Sequence, residues 1–133
     1  MNNLRVIKGD YNEYVKWNGL RVADDEFALN IKDGKTKYYI VLDDEKFFSD
    51  FFLFTDEMDV NLNIVGRFDE IAKVMIETLK EDYDVLTFTS DENTYNNFQY
   101  MKDYVEVLSE DEDVFNLADG RVFNIKHFKC KLK

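Results

Sequence analysis

The segment Asp59-Val60-Asn61-Leu62-Asn63-Ile64-Val65-Gly66-Arg67 leads into Phe68–Lys80 and then into Asp84-Val85-Leu86-Thr87-Phe88-Thr89. Over 59–65 apolar and polar residues alternate, the pattern of a strand with one buried and one wet face. From Phe68 the period lengthens: Phe68, Ile71, Ala72, Met75, Ile76 and Leu79 fall on one face of a helix. Asp69 and Glu70 in its first turn and Lys80 in its last suit the helix dipole. Val85–Thr89 is β-branched and aromatic, as a central strand requires. A strand, a helix and a second strand in close succession imply a mixed sheet with helices packed on it.

Working outward, 91–105 reads as a second helix, with Tyr95, Phe98, Met101 and Val105 as its apolar stripe and Ser90 as N-cap. Phe47–Phe54 is apolar almost throughout and reads as a strand or a buried irregular segment. Asn18-Gly19, Asp33-Gly34 and Asp119-Gly120 are dipeptides suited to two-residue hairpins, because a type I′ turn needs positive φ at both central positions. They predict pairings of Tyr14–Trp17 with Leu20–Ala23, Phe27–Lys32 with Lys35–Leu42, and Val114–Leu117 with Arg121–Phe128. The expected fold class is α+β: a mixed, mostly antiparallel sheet with N-terminal hairpins, two main helices (68–80 and 91–105) and a C-terminal hairpin. Residues 1–133 form one domain on this reading, a β-hairpin region over 1–34 followed by an α+β core over 35–133.

The 133 residues include 28 acidic and 17 basic side chains, a net charge of −11, and 21 aromatics. A chain with 45% hydrophobic residues buries a core of its own. The single cysteine, Cys130, excludes an intramolecular disulfide, and the single histidine, His127, excludes a site built on two histidines. No apolar run nears the roughly 20 residues of a membrane span, and the first residues lead into no apolar signal region. A cytoplasmic setting is expected. The proline-free, Asn/Lys/Tyr/Phe-rich style is similar to small acidic phage proteins, which implies a host cytoplasm.

The charge is uneven: residues 41–113 carry 21 acidic and five basic groups, while 114–133 carry one acidic and five basic. Asp43, Asp44, Glu45, Asp56, Glu57, Glu81, Asp82 and the run Glu110-Asp111-Glu112-Asp113 make up much of the acidic block. Interleaved with aromatics, they suggest a surface for a basic protein partner, including mimicry of a nucleic acid duplex. A pI near 4.5 disfavours direct binding of nucleic acid or anionic membrane. The run at 110–113 lacks the alternating ligands, central glycine and distal glutamate of an EF-hand, so no metal site is expected. His127 and Cys130 read as a structural histidine and an inert thiol. The exposed edge of an N-terminal hairpin is a place where a second copy could pair, giving a homodimer.

The order of elements over about 35–130 resembles the GCN5-related N-acetyltransferase (GNAT) fold. Val60–Val65 looks like that family's fourth strand, Phe68–Lys80 its central helix and Val85–Thr89 its fifth strand. Asp91-Glu92-Asn93 and the tyrosine-bearing segment after it are similar to the family's strand–Asn–helix stretch. The resemblance implies an acyltransferase using acetyl-CoA, with Gly66, Arg67 and Asn93 on the coenzyme and Tyr95 or Tyr104 as general acid. Where the family has a glycine-rich pyrophosphate loop, this chain has Val65-Gly66-Arg67-Phe68-Asp69-Glu70, with one glycine and two carboxylates. The residues themselves therefore favour a non-catalytic acidic protein-binding module with no cofactor; the divergent acyltransferase is the alternative.

Overall fold

The computed structural model describes residues 3–61, 67–91 and 95–133. Seven strands form one sheet in the order β1-β2-β3-β4-β5-β7-β6: β1 Leu4–Gly9, β2 Thr36–Asp43, β3 Lys46–Phe54, β4 Asp59–Asn61, β5 Val85–Asp91, β6 Val105–Asn116 and β7 Val122–Leu132. All pairings are antiparallel except β4 with β5, which run parallel in the register Asp59↔Thr87, Val60↔Phe88, Asn61↔Thr89. The α+β class and the mostly antiparallel mixed sheet are as expected.

The helix α3 spans Phe68–Leu79, and the residues it buries are the six expected from periodicity: Phe68, Ile71, Ala72, Met75, Ile76 and Leu79. They pack on Tyr39, Val41, Phe51, Leu53, Val60, Leu86 and Phe88 to form the main core. The opposite face of β2 and β3 carries a second cluster, centred on Tyr38, Ile40 and Leu42. Buried on both faces, β2 reads as an unbroken apolar run instead of an alternating one.

The N-terminal region corrects the hairpin expectation over 1–34. After β1 the chain forms α1, Tyr11–Asn18, and α2, Glu26–Lys32, joined by a 3-10 turn at Leu20–Val22. Asp10 caps α1 by accepting from the Glu13 amide at 3.0 Å, and Asp25 caps α2 by accepting from the Ala28 amide at 2.7 Å. Gly19 and Gly34 are helix stops instead of hairpin tips. At Gly34, φ is +79°, its amide donates to the Ile31 carbonyl, and the Lys35 amide donates to the Asn30 carbonyl. This is a Schellman closure, which needs the same positive φ as a type I′ turn. Gly34→Ala meets no steric obstacle; forcing an L side chain into that backbone is expected to cost about 1–2 kcal/mol in urea unfolding.

The tight hairpin turn that does form belongs to β2–β3, where Asp44 and Glu45 have φ of +48° and +69° between the paired Asp43 and Lys46. Asp119-Gly120 does turn a hairpin, but through the three-residue loop 118–120. The Leu117 amide donates to the Arg121 carbonyl, and Gly120 sits at φ +88°. The strands it joins reach 12 and 11 residues.

The expected helix over 91–105 is a 3-10 segment, Tyr95–Met101, with β5 extending to Asp91 and β6 starting at Val105. Asn and Asp are poor helix formers, and the stripe residues Phe98, Met101 and Val105 are buried without a full α-helix. The Phe98 ring stacks on Phe128 with centroids 3.9 Å apart. Ser90 lies within β5. No helix among the described residues is long and apolar enough to cross a membrane.

Candidate functional site

Four strands bring one polar side chain each to the face of the sheet opposite α3. Val60, Phe88 and Phe128 point into the α3-side core, so strand alternation turns Asp59 of β4, Thr89 of β5 and His127 of β7 to the other side. Thr89 Oγ1 lies 2.6 and 2.8 Å from the two oxygens of Asp59, and 2.8 Å from His127 Nδ1. His127 Nε2 lies 2.7 Å from Asp113 Oδ2 on β6. The chain Asp59–Thr89–His127–Asp113 is continuous, and it runs from a carboxyl that is 9% exposed to a side chain that is 59% exposed. Burial holds the Asp59 carboxyl above the usual carboxylate range; the Thr89 hydrogen bond and the His127 charge pull the other way.

Counting protons shows what this chain can do. Thr89 has one hydroxyl proton and two neighbours that can accept it, Asp59 and His127 Nδ1. With Asp113 ionised, Nε2–H donates to it. If Nδ1 is bare, the Thr89 proton satisfies either Asp59 or Nδ1 and leaves the other acceptor unmet. One added proton completes the network in two equivalent ways. Either it stays on Asp59, which donates to Thr89 while Thr89 donates to Nδ1, or Thr89 donates to Asp59 and Nδ1–H donates to Thr89. The same proton therefore sits at the buried end or on the imidazole, separated by a shift along two hydrogen bonds. The network is a proton acceptor with an exit to the surface.

Beside it, on the same face, a cavity of about 140 Å³ is lined by Phe27, Asp50, Phe51, Phe52 and Asn61. Tyr38 donates from its hydroxyl to Asp50 at 2.8 Å, and burial raises the Asp50 carboxyl. The Phe27 and Phe52 rings lie 4.9 Å apart, centroid to centroid. A half-buried carboxyl lining the same cavity as aromatic rings suits a cationic head.

On the α3 side, Ser90 Oγ at the end of β5 is buried without a hydrogen-bond partner among the described residues. Among the described residues no side chain caps α3; Arg67, at its N-cap, has φ +44°. Its guanidinium pairs with Asp43 at 2.6 Å and with Glu70, and lies 5.0 Å from the centre of the Phe48 ring.

The other expected residues are dispersed. Gly66 and Asn93 lie outside the described residues, and Tyr95 is described only as the start of the 3-10 segment. Tyr104 packs half-buried on the main core, and its carbonyl accepts from the Lys133 amide. It lies at the end of β7 remote from the network, about 17 Å along the strand at 3.4 Å per residue. The acids do not share one face. Asp44 and Glu45 form the β2–β3 turn and bind Asn3 and Arg5. Asp56 and Glu57 lie in the β3–β4 turn, whereas Glu81 and Asp82 follow α3, with Asp82 2.8 Å from Lys8. Glu110, Asp111, Glu112 and Asp113 lie on β6. Cys130 is buried, which pushes its thiol up to about 12. Asp59, Thr89 and Asp50 carried no signal in the sequence, because nothing local marks them.

No protein-family profile matches the sequence, and no curated protein does. Solved structures do match in fold. The chain is similar to a probable acetyltransferase from Staphylococcus epidermidis at 13% identity, with 98% of this chain and 99% of that one covered and a TM-score of 0.58. An acetyltransferase from Salmonella typhimurium that modifies the N-terminal serine of ribosomal protein L7/L12 matches at 6% identity, 100% and 97% coverage and a TM-score of 0.59. An IAA acetyltransferase from Bacillus cereus matches at 12% identity, 97% and 99% coverage and a TM-score of 0.56. The parallel β4–β5 pair joined by α3, the antiparallel strands on either side and these full-length matches together show that the chain has the GCN5-related N-acetyltransferase fold.

Proposed function

We propose that the chain is a divergent acyltransferase of this fold that transfers an acetyl group from acetyl-CoA to an amine. The observation that carries this reading is the Asp59–Thr89–His127–Asp113 chain at the parallel β4–β5 pair. Acyl transfer to an amine requires a proton to leave the nitrogen, and this is a buried acceptor with an outlet.

The residues fit the donor at two points. Among the described residues Ser90 Oγ is a buried polar atom without a partner on the α3 face, and the amide end of α3, which no described side chain caps, suits an anion together with Arg67. When bound, acetyl-CoA supplies the electrophilic acetyl carbon of its thioester. On the opposite face Asp50, which lines one cavity with Phe27 and Phe52, holds a cationic acceptor. Asp59 takes the nitrogen's proton, Thr89 passes it to His127 Nδ1, and the Nε2 proton leaves through Asp113 to solvent. This leaves the imidazole proton on Nδ1 and Nε2 bare, and the relay resets when the ring exchanges that proton with solvent and returns to its Nε2–H form.

Arg67 is shared with two carboxylates, so it is only partly available to phosphate. Glu70→Gln is expected to tighten acetyl-CoA binding by roughly threefold to tenfold at low salt, with the gain shrinking as salt rises. Calorimetric titration with acetyl-CoA, combined with thiol release in the presence of a panel of primary amines, tests the reading. A micromolar dissociation constant and amine-dependent thiol release support it; silence at millimolar acetyl-CoA overturns it.

A further inference from the structure

The outermost strand of the sheet is long, and among the described residues no strand covers its outer edge. β6 ends the strand order, and among the described residues its only strand partner is β7. After Val105, every residue from Glu106 to Asn116 is exposed. Exposed edges invite pairing, and proteins blunt them with short strands, lysine or proline. The opposite edge follows that rule: β1 has six residues, and Arg5 and Lys8 stand on it, each in an ion pair. β6 has 12 residues and neither lysine nor proline.

Its side chains indicate the occupant. Four carboxylates, Glu110, Asp111, Glu112 and Asp113, fill its middle, between exposed Val107 and Leu108 at one end and Val114 and Phe115 at the other, and Glu106 stands near its start. Neighbours on β7 meet part of this charge: Lys126 stands 3.5 Å from both Glu110 and Glu112, and His127 takes Asp113. Self-pairing in antiparallel register about Asp111 sets carboxylate opposite carboxylate, which destabilises a ladder. A second copy is therefore the wrong partner. A strand with alternating cations in its middle and apolar residues at its ends matches in charge and in pattern.

We propose that β6 is a docking edge for an extended basic segment of another protein, which adds as an eighth strand. Backbone hydrogen bonds to the edge supply affinity, and the carboxylates select for lysine and arginine, as in strand addition elsewhere. This site meets the acyl-transfer chemistry only at Asp113, the outlet of the proposed relay, and its test does not depend on acetyl transfer.

The probe is a blocked nine-residue peptide alternating lysine with threonine or valine, with a glutamate-for-lysine version as control. Fluorescence anisotropy is expected to show binding of the lysine peptide at 50 mM salt, weakening about tenfold or more by 500 mM. Hydrogen exchange is expected to slow at β6 amides and not at β1. The triple variant Glu110→Gln/Asp111→Asn/Glu112→Gln should lose at least tenfold in affinity while its thermal unfolding stays close to that of the parent. Equal binding of the glutamate peptide, unchanged affinity of the triple variant, or protection of β6 by concentration-dependent self-association without peptide would each overturn the proposal. None of these results bears on acetyl-CoA binding, so the two readings fail separately.

Discussion

Asp59→Asn is expected to lower the rate of acetyl transfer by about 10²–10⁴-fold without lowering the unfolding temperature at neutral pH. The asparagine keeps an oxygen that accepts from Thr89, so the local hydrogen bond survives; the proton acceptor does not. The stability side follows from the direction of the Asp59 shift. Burial raises its folded-state value, so the native state binds this proton more readily than the unfolded chain. Stability linked to this group is highest below the ordinary carboxylate range and declines as pH rises from that range through the raised folded value. Above that window the parent protein carries a buried charge, which asparagine lacks.

The unfolding temperatures of parent and variant should therefore agree near pH 3 and separate in favour of the variant at pH 7. A residue serving only as a structural hydrogen-bond partner would destabilise at both pH values, so paired melting curves and rates distinguish the roles. Thr89→Val should show the same loss of rate, because it disconnects Asp59 from His127 Nδ1, and Thr89→Ser should restore most of it. A Thr89→Val protein with parental rate and pH profile would remove the relay from the mechanism.

The largest expected effect on stability is at Phe88. Its side chain is fully buried in β5, with Val60 beside it in the parallel register and α3 across the core. Phe88→Ala is expected to cost about 3–5 kcal/mol, from lost transfer free energy and the cavity left behind. Val107→Ala, on the exposed edge at 44% exposure, should stay within about 0.5 kcal/mol. Urea unfolding of the two variants measures the contrast. Thr89 is the next residue along the same strand, so slack behind Phe88 also loosens the network, and the residual rate of Phe88→Ala should fall together with its stability.

Parts of this fold are readable without coordinates. The buried face of α3 follows from its period alone, because a helix on a sheet must bury one continuous stripe. β5 is legible from its β-branched and aromatic composition. The N-terminal region is harder, because Asn18-Gly19 and Asp33-Gly34 satisfy two structures that need the same backbone freedom. What decides between them lies one helix length upstream. Asp10 with Glu13 three residues later is a helix-start pattern, and it outweighs a turn dipeptide once Tyr11, Tyr14 and Trp17 are seen to share a helical face. The segment Tyr95–Met101 shows the reverse case: Phe98 and Met101 of the expected stripe are buried, but the backbone adopts 3-10 geometry.

The sequence by itself determined the α+β class, the central strand–helix–strand unit, the closing hairpin and the placement of much of the charge between residues 41 and 113. Those features are set by period, composition and turn chemistry, which act over a few residues. The tertiary structure alone decided the site. Asp59 and Thr89 are 30 residues apart, Thr89 and His127 are 38 apart, and Asp113 and His127 are 14 apart. Their meeting depends on the register of β4 against β5, β5 against β7 and β7 against β6. A slip of one residue in any of these pairings would turn a member of the network to the other face of the sheet. Register is fixed by packing of the whole core, so neither the relay nor the bare edge of β6 could be read until the strands were in place.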